Sequence, residues 1–374
     1  MNPNQLTLGE QSLTLNRTPH FDHQPLRAWD AADEYLLSLV PESANELTIV
    51  NDSFGALTLG LRDRLQQSWT DSSLMKAALK KNAKTNQLNP VFFQDKIVNL
   101  SNNPDVPRST ILLKIPKSNR LLEWQLSILS DVSKEGTELW LAGMDKHITR
   151  NQFDMVAKYF GDVTALKGVK KARVWQAINT KPGIHSEFFT KAYTLPSSEF
   201  QLVASPGVYS GEKLDPGSRF FLENLHKLPA SEHVLDLGCG NGVLSLAYHA
   251  RFPEAELTLT DESSHGVTCA QENFKRFDPK FKNLNFLQTE ATQNLEEDSY
   301  TMVICNPPFH QGTTINTELG QYFFKAAKRT LKKDGELWIV ANRHLNYKTV
   351  LKQMFGNCIL RAQNDKFIVL SARK

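Results

Sequence analysis

The feature that most restricts what this chain can fold into is that its second half repeats its first. LTIVNDSFGALTLGL (Leu47 to Leu61) parallels VLDLGCGNGVLSLAY (Val234 to Tyr248). TDSSLMKAALKKN from Thr70 parallels TDESSHGVTCAQEN from Thr260, and ILLKIPK from Ile111 stands where VICNPPF from Val303 stands. GTELWLAG from Gly136 matches DGELWIVAN from Asp334, and FGD at Phe160 followed by KKARVWQAIN matches FGN at Phe355 followed by NDKFIVLSA. The blocks recur in one order, with an offset that drifts by about a dozen residues, the size of loop changes. Any two α/β domains share some strand–helix texture, but ordered matches that include ELW and FG weaken that plain alternative. The chain reads as two copies of one fold.

Each copy alternates short β-rich apolar runs with helical patterns, as a parallel sheet with helices on both faces requires. In the second copy strands are expected at Val234–Leu237, Glu256–Thr260, Leu284–Leu287, Met302–Cys305, Gly335–Ala341 and Phe367–Ala372. A helix is expected over Leu319–Leu331, where Phe323, Ala326, Ala327 and Leu331 fall at helical spacing. The last apolar run follows FGN with no helix between, so it should pair antiparallel to the strand before it. The expected fold class is therefore α/β, two tandem Rossmann-like domains, with domains at 1–190 and 191–374. A length of 374 residues accommodates two.

Composition narrows the class further. Hydrophobic content of 40% and charged content of 22% are those of a globular protein with ample core. No apolar run approaches the roughly 20 residues of a membrane span. Met1 to Asn16 is polar without an apolar signal core, so a cytoplasmic location is expected, with no membrane association. Cys239, Cys269, Cys305 and Cys358 form no C-x-x-C pair and read as reduced packing residues. His20 and His23 have no partner cysteine or carboxylate cluster, so no metal is expected. The net charge of +3 does not by itself mark a nucleic-acid binder.

Val234 to Gly242 reads as a buried strand, a glycine-rich turn and the start of an apolar helix. Gly238, Gly240 and Gly242 make G-x-G-x-G, and with Cys239 they line a turn whose backbone can approach a ligand closely. Such a loop could serve a dinucleotide. Asp236, however, would repel a pyrophosphate, while it can hold the ammonium of S-adenosyl-L-methionine. Asp261 ends the next strand, where an acid can accept both ribose hydroxyls, although a helix N-cap would use the same residue type. After the third strand, Glu290 could accept from an adenine amino group, and the Ala291 N–H could meet a ring nitrogen. A solvated loop glutamate is the plain alternative.

The strand Met302–Cys305 runs into Asn306-Pro307-Pro308-Phe309. Two prolines make a stiff turn at a strand's C-terminal end, where ligands sit in open α/β sheets. The Asn306 side-chain carbonyl and a main-chain carbonyl of Asn306 or Pro307 can take both hydrogens of a planar amino group. That aims its lone pair at a sulfonium methyl, and such positioning is worth several kcal/mol of barrier, roughly. Phe309 offers a face on which a flipped or unpaired base can stack. No strong base is required, and His310 reads as a rim residue. In isolation the tetrapeptide could be a rigid turn; after D-x-G-x-G-x-G it reads as the catalytic element of an amine methyltransferase.

The first copy has lost these parts. Asn51, Ser53 and Gly55 stand at the three glycines, Ile49 at Asp236, and Lys114-Ile115-Pro116-Lys117 at the catalytic tetrapeptide. Its expected task is to hold substrate, with Lys114, Lys117, Lys167, Lys170, Lys171 and Arg173 as phosphate contacts acting together. Solvated surface lysines are the plain alternative for each one taken singly.

With these residues in place, the chain resembles the bacterial ribosomal RNA guanine-N2 methyltransferases of the paired-domain type, over nearly its whole length. LRAWDAADEYLL from Leu26, VANRHLNY from Val340 and the ending FGNC…NDKFIVL are most similar to the large-subunit enzyme, with the small-subunit enzyme as runner-up. The resemblance implies two class I methyltransferase domains, a degenerate N-terminal one and a catalytic C-terminal one. It also implies N2 methylation of a guanine in 23S rather than 16S rRNA. The substrate would be ribosomal RNA, naked or in a pre-subunit particle, and a monomer is expected. Pro206–Ser210 and Leu214–Ser218 resemble the family's lead-in over the cofactor, with Tyr209 where phenylalanine is expected. Thr289-Glu290 departs from the Asn-Asn-like residues expected after the third strand. A glutamine N5-methyltransferase would carry tyrosine in place of Phe309, and an adenine-N6 enzyme faces the same chemistry. A non-catalytic RNA-binding assembly factor would not need Asp236, the glycines and the tetrapeptide together.

Overall fold

The computed structural model describes residues 3–19, 26–99, 110–180, 183, 186–291, 293–308, 310–311, 314–315 and 317–374. The chain forms two compact units, Met1–Phe188 and Phe189–Lys374.

In the first unit an antiparallel hairpin, Gln5–Leu8 with Gln11–Thr14, leads to helix α1 (Ala31–Leu39). The sheet strands are β1 (Leu47–Val50), β2 (Leu65–Thr70), β3 (Ile97–Asn99), β4 (Ile111–Lys114), β5 (Glu138–Met144), β6 (Val163–Ala165) and β7 (Ala172–Ile178). Between them run α2 (Ala56–Gly60), α3 (Ser73–Thr85), α4 (Pro90–Lys96), α5 (Asn119–Val132) and α6 (Arg150–Phe160). The strand order is β3-β2-β1-β4-β5-β7-β6, parallel until β7 and β6 join antiparallel.

The second unit repeats this plan. The hairpin Thr190–Thr194 with Gln201–Ala204 leads to α7 (Pro216–Glu223). Its sheet has β8 (His233–Leu237), β9 (Glu256–Asp261), β10 (Leu284–Gln288), β11 (Tyr300–Cys305), β12 (Leu331–Asn342), β13 (Ile359–Gln363) and β14 (Phe367–Arg373). The helices are α8 (Val243–Arg251), α9 (Ser264–Phe277), α10 (Thr317–Thr330) and α11 (Tyr347–Phe355). The order is β10-β9-β8-β11-β12-β14-β13, the first unit's order shifted by seven labels. As expected, β14 pairs antiparallel with β12. It pairs antiparallel with β13 too, a strand the sequence reading missed. Ile359 and Leu360 on that edge are 50% and 39% exposed, so no buried alternation marks it.

The central strands are apolar on both sides, as strands covered by helices on both faces must be. In β8, Val234 packs into the core on one face while Leu235 and Leu237 pack into the core on the other. Ile304 and Trp338 join the first core; Val303, Leu337 and Ile339 join the second. The first unit divides the same way, with Ile49, Leu112 and Trp140 on one side and Val50, Leu113 and Leu141 on the other.

Ladder register turns the repeat into residue equivalences. Ile49 pairs with Leu112 and Ser68, and Asp236 pairs with Ile304 and Leu259. Two residues further along each strand, Lys114 therefore stands at Asn306 and Thr70 at Asp261. The second equivalence corrects the sequence alignment by one residue, since Thr70 had been matched to Thr260. The local turn agrees. The Ser72 N–H donates to Thr70 Oγ1 at 3.1 Å, just as the Ser263 N–H donates to Asp261 Oδ1 at 2.9 Å. Even the matched ELW repeats its contact, with Trp140 and Trp338 donating to Glu138 and Glu336 at 3.0 and 2.9 Å. Among the described residues, no helix is long and apolar enough to cross a membrane.

Candidate active site

In the second unit β8 is flanked by β9 on one side and β11 on the other, so the chain leaves it in opposite directions. Ligands of open α/β sheets bind at such a switch point, outside the strands' C-terminal ends. The glycine turn, Asp261 and Asn306 lie at the ends of these three adjacent strands.

Gly238, Gly240 and Gly242 all have positive φ, at 81°, 54° and 80°. Gly242 is also crowded, since a Cβ there would lie 3.1 Å from Ala270 Cβ on α9. The turn's own N–H groups are committed internally. Gly238 and Cys239 both donate to the Thr260 carbonyl at 2.9 Å, and Gly242 donates to the Cys239 carbonyl at 2.9 Å. The Gly240 N–H donates to Asp261 Oδ2 at 2.9 Å. A pyrophosphate cradle needs such donors turned outward; here those of Gly238, Cys239 and Gly240 are spent on the end of β9 and that of Gly242 on Cys239. The thiols of Cys239, Cys269 and Cys305 are free and buried, and that of Cys358 is free and half-buried.

Asp236 is 2% exposed. Its Oδ2 accepts from Ser245 Oγ at 2.6 Å, while Oδ1 is buried with no hydrogen-bond partner among the described residues. Burial pushes its carboxyl up to about 7, helped by the charge of Asp261 and opposed by the Ser245 hydroxyl. Such an orphaned oxygen is costly unless a donor or a cation meets it. Asp261 is half-buried; its carboxylate at once caps a turn and anchors the glycine loop. The Thr289 N–H donates to the Asp261 carbonyl at 2.9 Å, bringing the Glu290–Ala291 loop beside it. Glu290 Oε1 already accepts from the Tyr322 hydroxyl at 3.1 Å, and Ala291 is buried with φ 50°.

Asn306 directly follows the buried strand β11, half-buried itself, and is followed by buried Pro307 and exposed Pro308. Phe309 lies outside the described residues, as do His20 and His23. The Asn306 Nδ2 donates to Asp215 Oδ2 and also meets Ser218 Oγ, each at 3.0 Å. Asp215 is the N-cap of α7 and Ser218 is its third residue, whose N–H donates to the same Oδ2 at 2.8 Å. The Tyr209 hydroxyl donates to Asp215 Oδ1 at 3.0 Å. Sequence reasoning placed Asp215 and Ser218 in a lead-in segment and gave them no role. The missed signal was D-x-x-S opening a helix, an N-cap whose spare acceptors can serve another strand. What remains of the Asn306 amide is its carbonyl oxygen, an acceptor.

The first unit holds the counterpart. Lys114 Nζ lies 2.8 Å from Asp30 Oδ1 and 2.7 Å from Asp33 Oδ1, the N-cap and third residue of α1's capping box. Burial works against the Lys114 charge, but Asp33 and Asp30 outweigh it and hold the lysine above its ordinary value. This corrects the reading of Lys114 as a phosphate contact: its charge is already paired inside the fold. Lys117, Lys167, Lys170, Lys171 and Arg173 are exposed. Of these, Lys170 pairs with Glu34 at 3.2 Å and Arg173 pairs with Asp145. His147 titrates below its ordinary value through burial and the nearby charges of Lys146 and Lys117. Exposed Lys146 thus belongs to the same basic neighbourhood, and the sequence reading had left it out. Among the described residues no group of His, Cys, Asp and Glu could hold a metal ion.

Two family models match the chain, "RLMG N-terminal domain" over residues 3–181 and "Methyltransferase small domain" over residues 199–371. The chain is 39% identical to the ribosomal RNA large subunit methyltransferase G of Stutzerimonas stutzeri, with 97% of each chain covered. It is 35% identical to the protein of that name from Pseudoalteromonas translucida, over 99% of this chain and 98% of the other. The solved T. thermophilus 16S rRNA N2 methyltransferase RsmC, in complex with AdoMet and guanosine, has the same fold. Its TM-score is 0.78 at 20% identity, covering 99% of this chain and 97% of that one.

Proposed function

The chain belongs to the ribosomal RNA large subunit methyltransferase G family, and from that premise we propose that its second unit methylates the exocyclic N2 amine of a guanine in 23S ribosomal RNA, using S-adenosyl-L-methionine. The full-length likeness to relatives named for large-subunit rRNA methylation carries the reading. The site supports it, because an ammonium acceptor, a ribose acceptor and an amine acceptor end three neighbouring strands.

Bound at these strand ends, S-adenosyl-L-methionine supplies an electrophilic methyl group on a sulfonium. Asp236 Oδ1 suits its ammonium, which brings both a donor and a positive charge to a buried carboxylate oxygen that has no hydrogen-bond partner among the described residues. Asp261 suits the ribose hydroxyls, and its hold on the Gly240 N–H couples the loop's shape to that contact. Glu290 and the Ala291 N–H are the groups beside the third strand for an adenine edge. On the acceptor side, the Asn306 Oδ1 and a main-chain carbonyl of Asn306 or Pro307 take the two amine hydrogens. Held by both hydrogens, the conjugated amine is partly pyramidalised, so that its lone pair localises on nitrogen and faces the sulfonium methyl, the demanding part of this reaction. The proton departs after transfer, so no buried base is needed. Pro307 and Pro308 keep the turn stiff, and Phe309 stacks on the base.

The first unit holds the RNA, with Lys117, Lys167, Lys170, Lys171 and Arg173 as the basic group nearest to that task. The decisive experiment compares 23S rRNA from cells with and without the protein by nucleoside mass spectrometry and primer extension. Loss of one N2-methylguanosine is expected, regained on incubation with the protein and cofactor; identical modification patterns would overturn the function.

A further inference from the structure

We infer that Asp215 is a positioning residue for methyl transfer, because its carboxylate fixes which way the Asn306 amide points. The inference rests on Asn306 being the group that accepts the substrate amine's hydrogens. An asparagine amide has two ends of nearly equal shape and opposite hydrogen-bonding sense. Turned one way it offers the incoming amine an acceptor; turned the other it offers two N–H donors, which would repel the amine's own hydrogens. Something must choose between these orientations, which differ by a half-turn about one bond. Ser218 Oγ cannot choose, since a hydroxyl both donates and accepts. An ionised Asp215 can, since a carboxylate only accepts, so the end 3.0 Å away must be the NH2.

The fold keeps Asp215 rigid for this purpose. Its Oδ2 is tied to the Ser218 N–H at the start of α7, and its Oδ1 to the Tyr209 hydroxyl. The duplicated unit supplies independent support. There the N-cap carboxylate of α1 and the side chain three residues on clamp Lys114, which occupies the ladder position of Asn306. A socket of two acceptors, built from an N-cap acid and the third helical residue, thus meets the end of the fourth strand in both units. In each it is filled by a donor. The catalytic unit fills it with half an amide and keeps an acceptor to present; the first unit fills it with an ammonium, which has none.

The test separates the clamp from the cap. Aspartate, asparagine and serine are comparable N-caps, so Asp215→Asn and Asp215→Ser should both keep α7 and the melting temperature of the full chain. Asparagine can still place a carbonyl oxygen against the Asn306 NH2, because the Ser218 N–H that donates to Oδ2 fixes which end of the new amide is the oxygen, while serine is too short to reach it. We expect Asp215→Ser to lower kcat on 23S rRNA by about tenfold or more. KM for the RNA and the calorimetric Kd of S-adenosyl-L-methionine should stay unchanged, and Asp215→Asn should restore turnover. Asp215→Ser added to Asn306→Ala should cost nothing beyond Asn306→Ala alone. Equal activities of the serine and asparagine variants, or losses that multiply in the double variant, would overturn the positioning role. Wild-type turnover by Asn306→Ala would instead remove the reading on which it rests.

Discussion

Asp236 is buried, one of its oxygens has no hydrogen-bond partner among the described residues, and burial pushes its carboxyl up to about 7, far above an ordinary aspartate. With its folded pKa raised above its unfolded value, its contribution to stability is present at low pH and lost as pH rises from about 4 through about 7. A cation bound against it favours the ionised form. Cofactor binding should therefore expel a proton when measured below about pH 7, and affinity should rise as the pH climbs toward that value. Calorimetry in buffers of different ionisation enthalpy reads this directly, and Asp236→Asn should abolish the linkage. The neighbouring residues divide the work. Asp261→Ala removes charge-assisted hydrogen bonds worth about 1.5–3 kcal/mol, so cofactor Kd should rise roughly tenfold to a hundredfold. Asn306→Ala should leave that Kd alone and cost turnover about a hundredfold or more. Loss of cofactor affinity in Asn306→Ala would show that the roles are misassigned.

At the scale of elements, one arrangement recurs with different contents: a lead-in helix whose N-cap reaches the end of the fourth strand. In the first unit it has become a buried ion cluster, and its worth is structural. Lys114→Ala would leave Asp33, which burial already pushes up to about 6, beside Asp30 with no cation. Breaking a buried pair from one side costs about 3–5 kcal/mol, and partial exposure of Asp30 places this case at or below the lower end. The expected result is a melting temperature several degrees lower at pH 8. The deficit should shrink on acidification toward pH 4, because Asp33 with a raised folded pKa is destabilising only as it ionises. A pH-independent deficit would point to lost packing of the lysine stem instead. The local sequence carried much of this scale: β8, β9, β11 and α10 announce themselves by apolar periodicity. The edge strand β13 did not, because a strand with one neighbour and an open face need not alternate.

At the scale of the whole molecule, two copies of one fold have diverged, one ending its fourth strand in an amide and the other in a lysine paired with two aspartates. Lys170, Lys171 and Arg173 are exposed and lie close together in sequence, and two of them, Lys170 and Arg173, have acidic neighbours. Reversing all three charges should weaken rRNA binding and flatten its dependence on salt concentration, while cofactor Kd holds. Unchanged affinity across a salt series would move the RNA contact elsewhere in the chain.

The sequence by itself determined the duplication, the fold class, the glycine turn with Asp236, and the placement of Asn306 at a strand's end. All of these are written in local order, as periodicity, prolines and glycines, which one stretch of chain carries alone. The equivalence of Thr70 with Asp261, the pairing of Lys114 and the clamp on Asn306 were decided only by tertiary structure. Each depends on ladder register or on groups far apart in sequence, Asp215 and Asn306 being separated by 91 residues. Hydrogen bonds across such separations leave no periodic trace. Their chemistry becomes legible only when the sheet brings the ends of β8, β9 and β11 beside the first turn of α7.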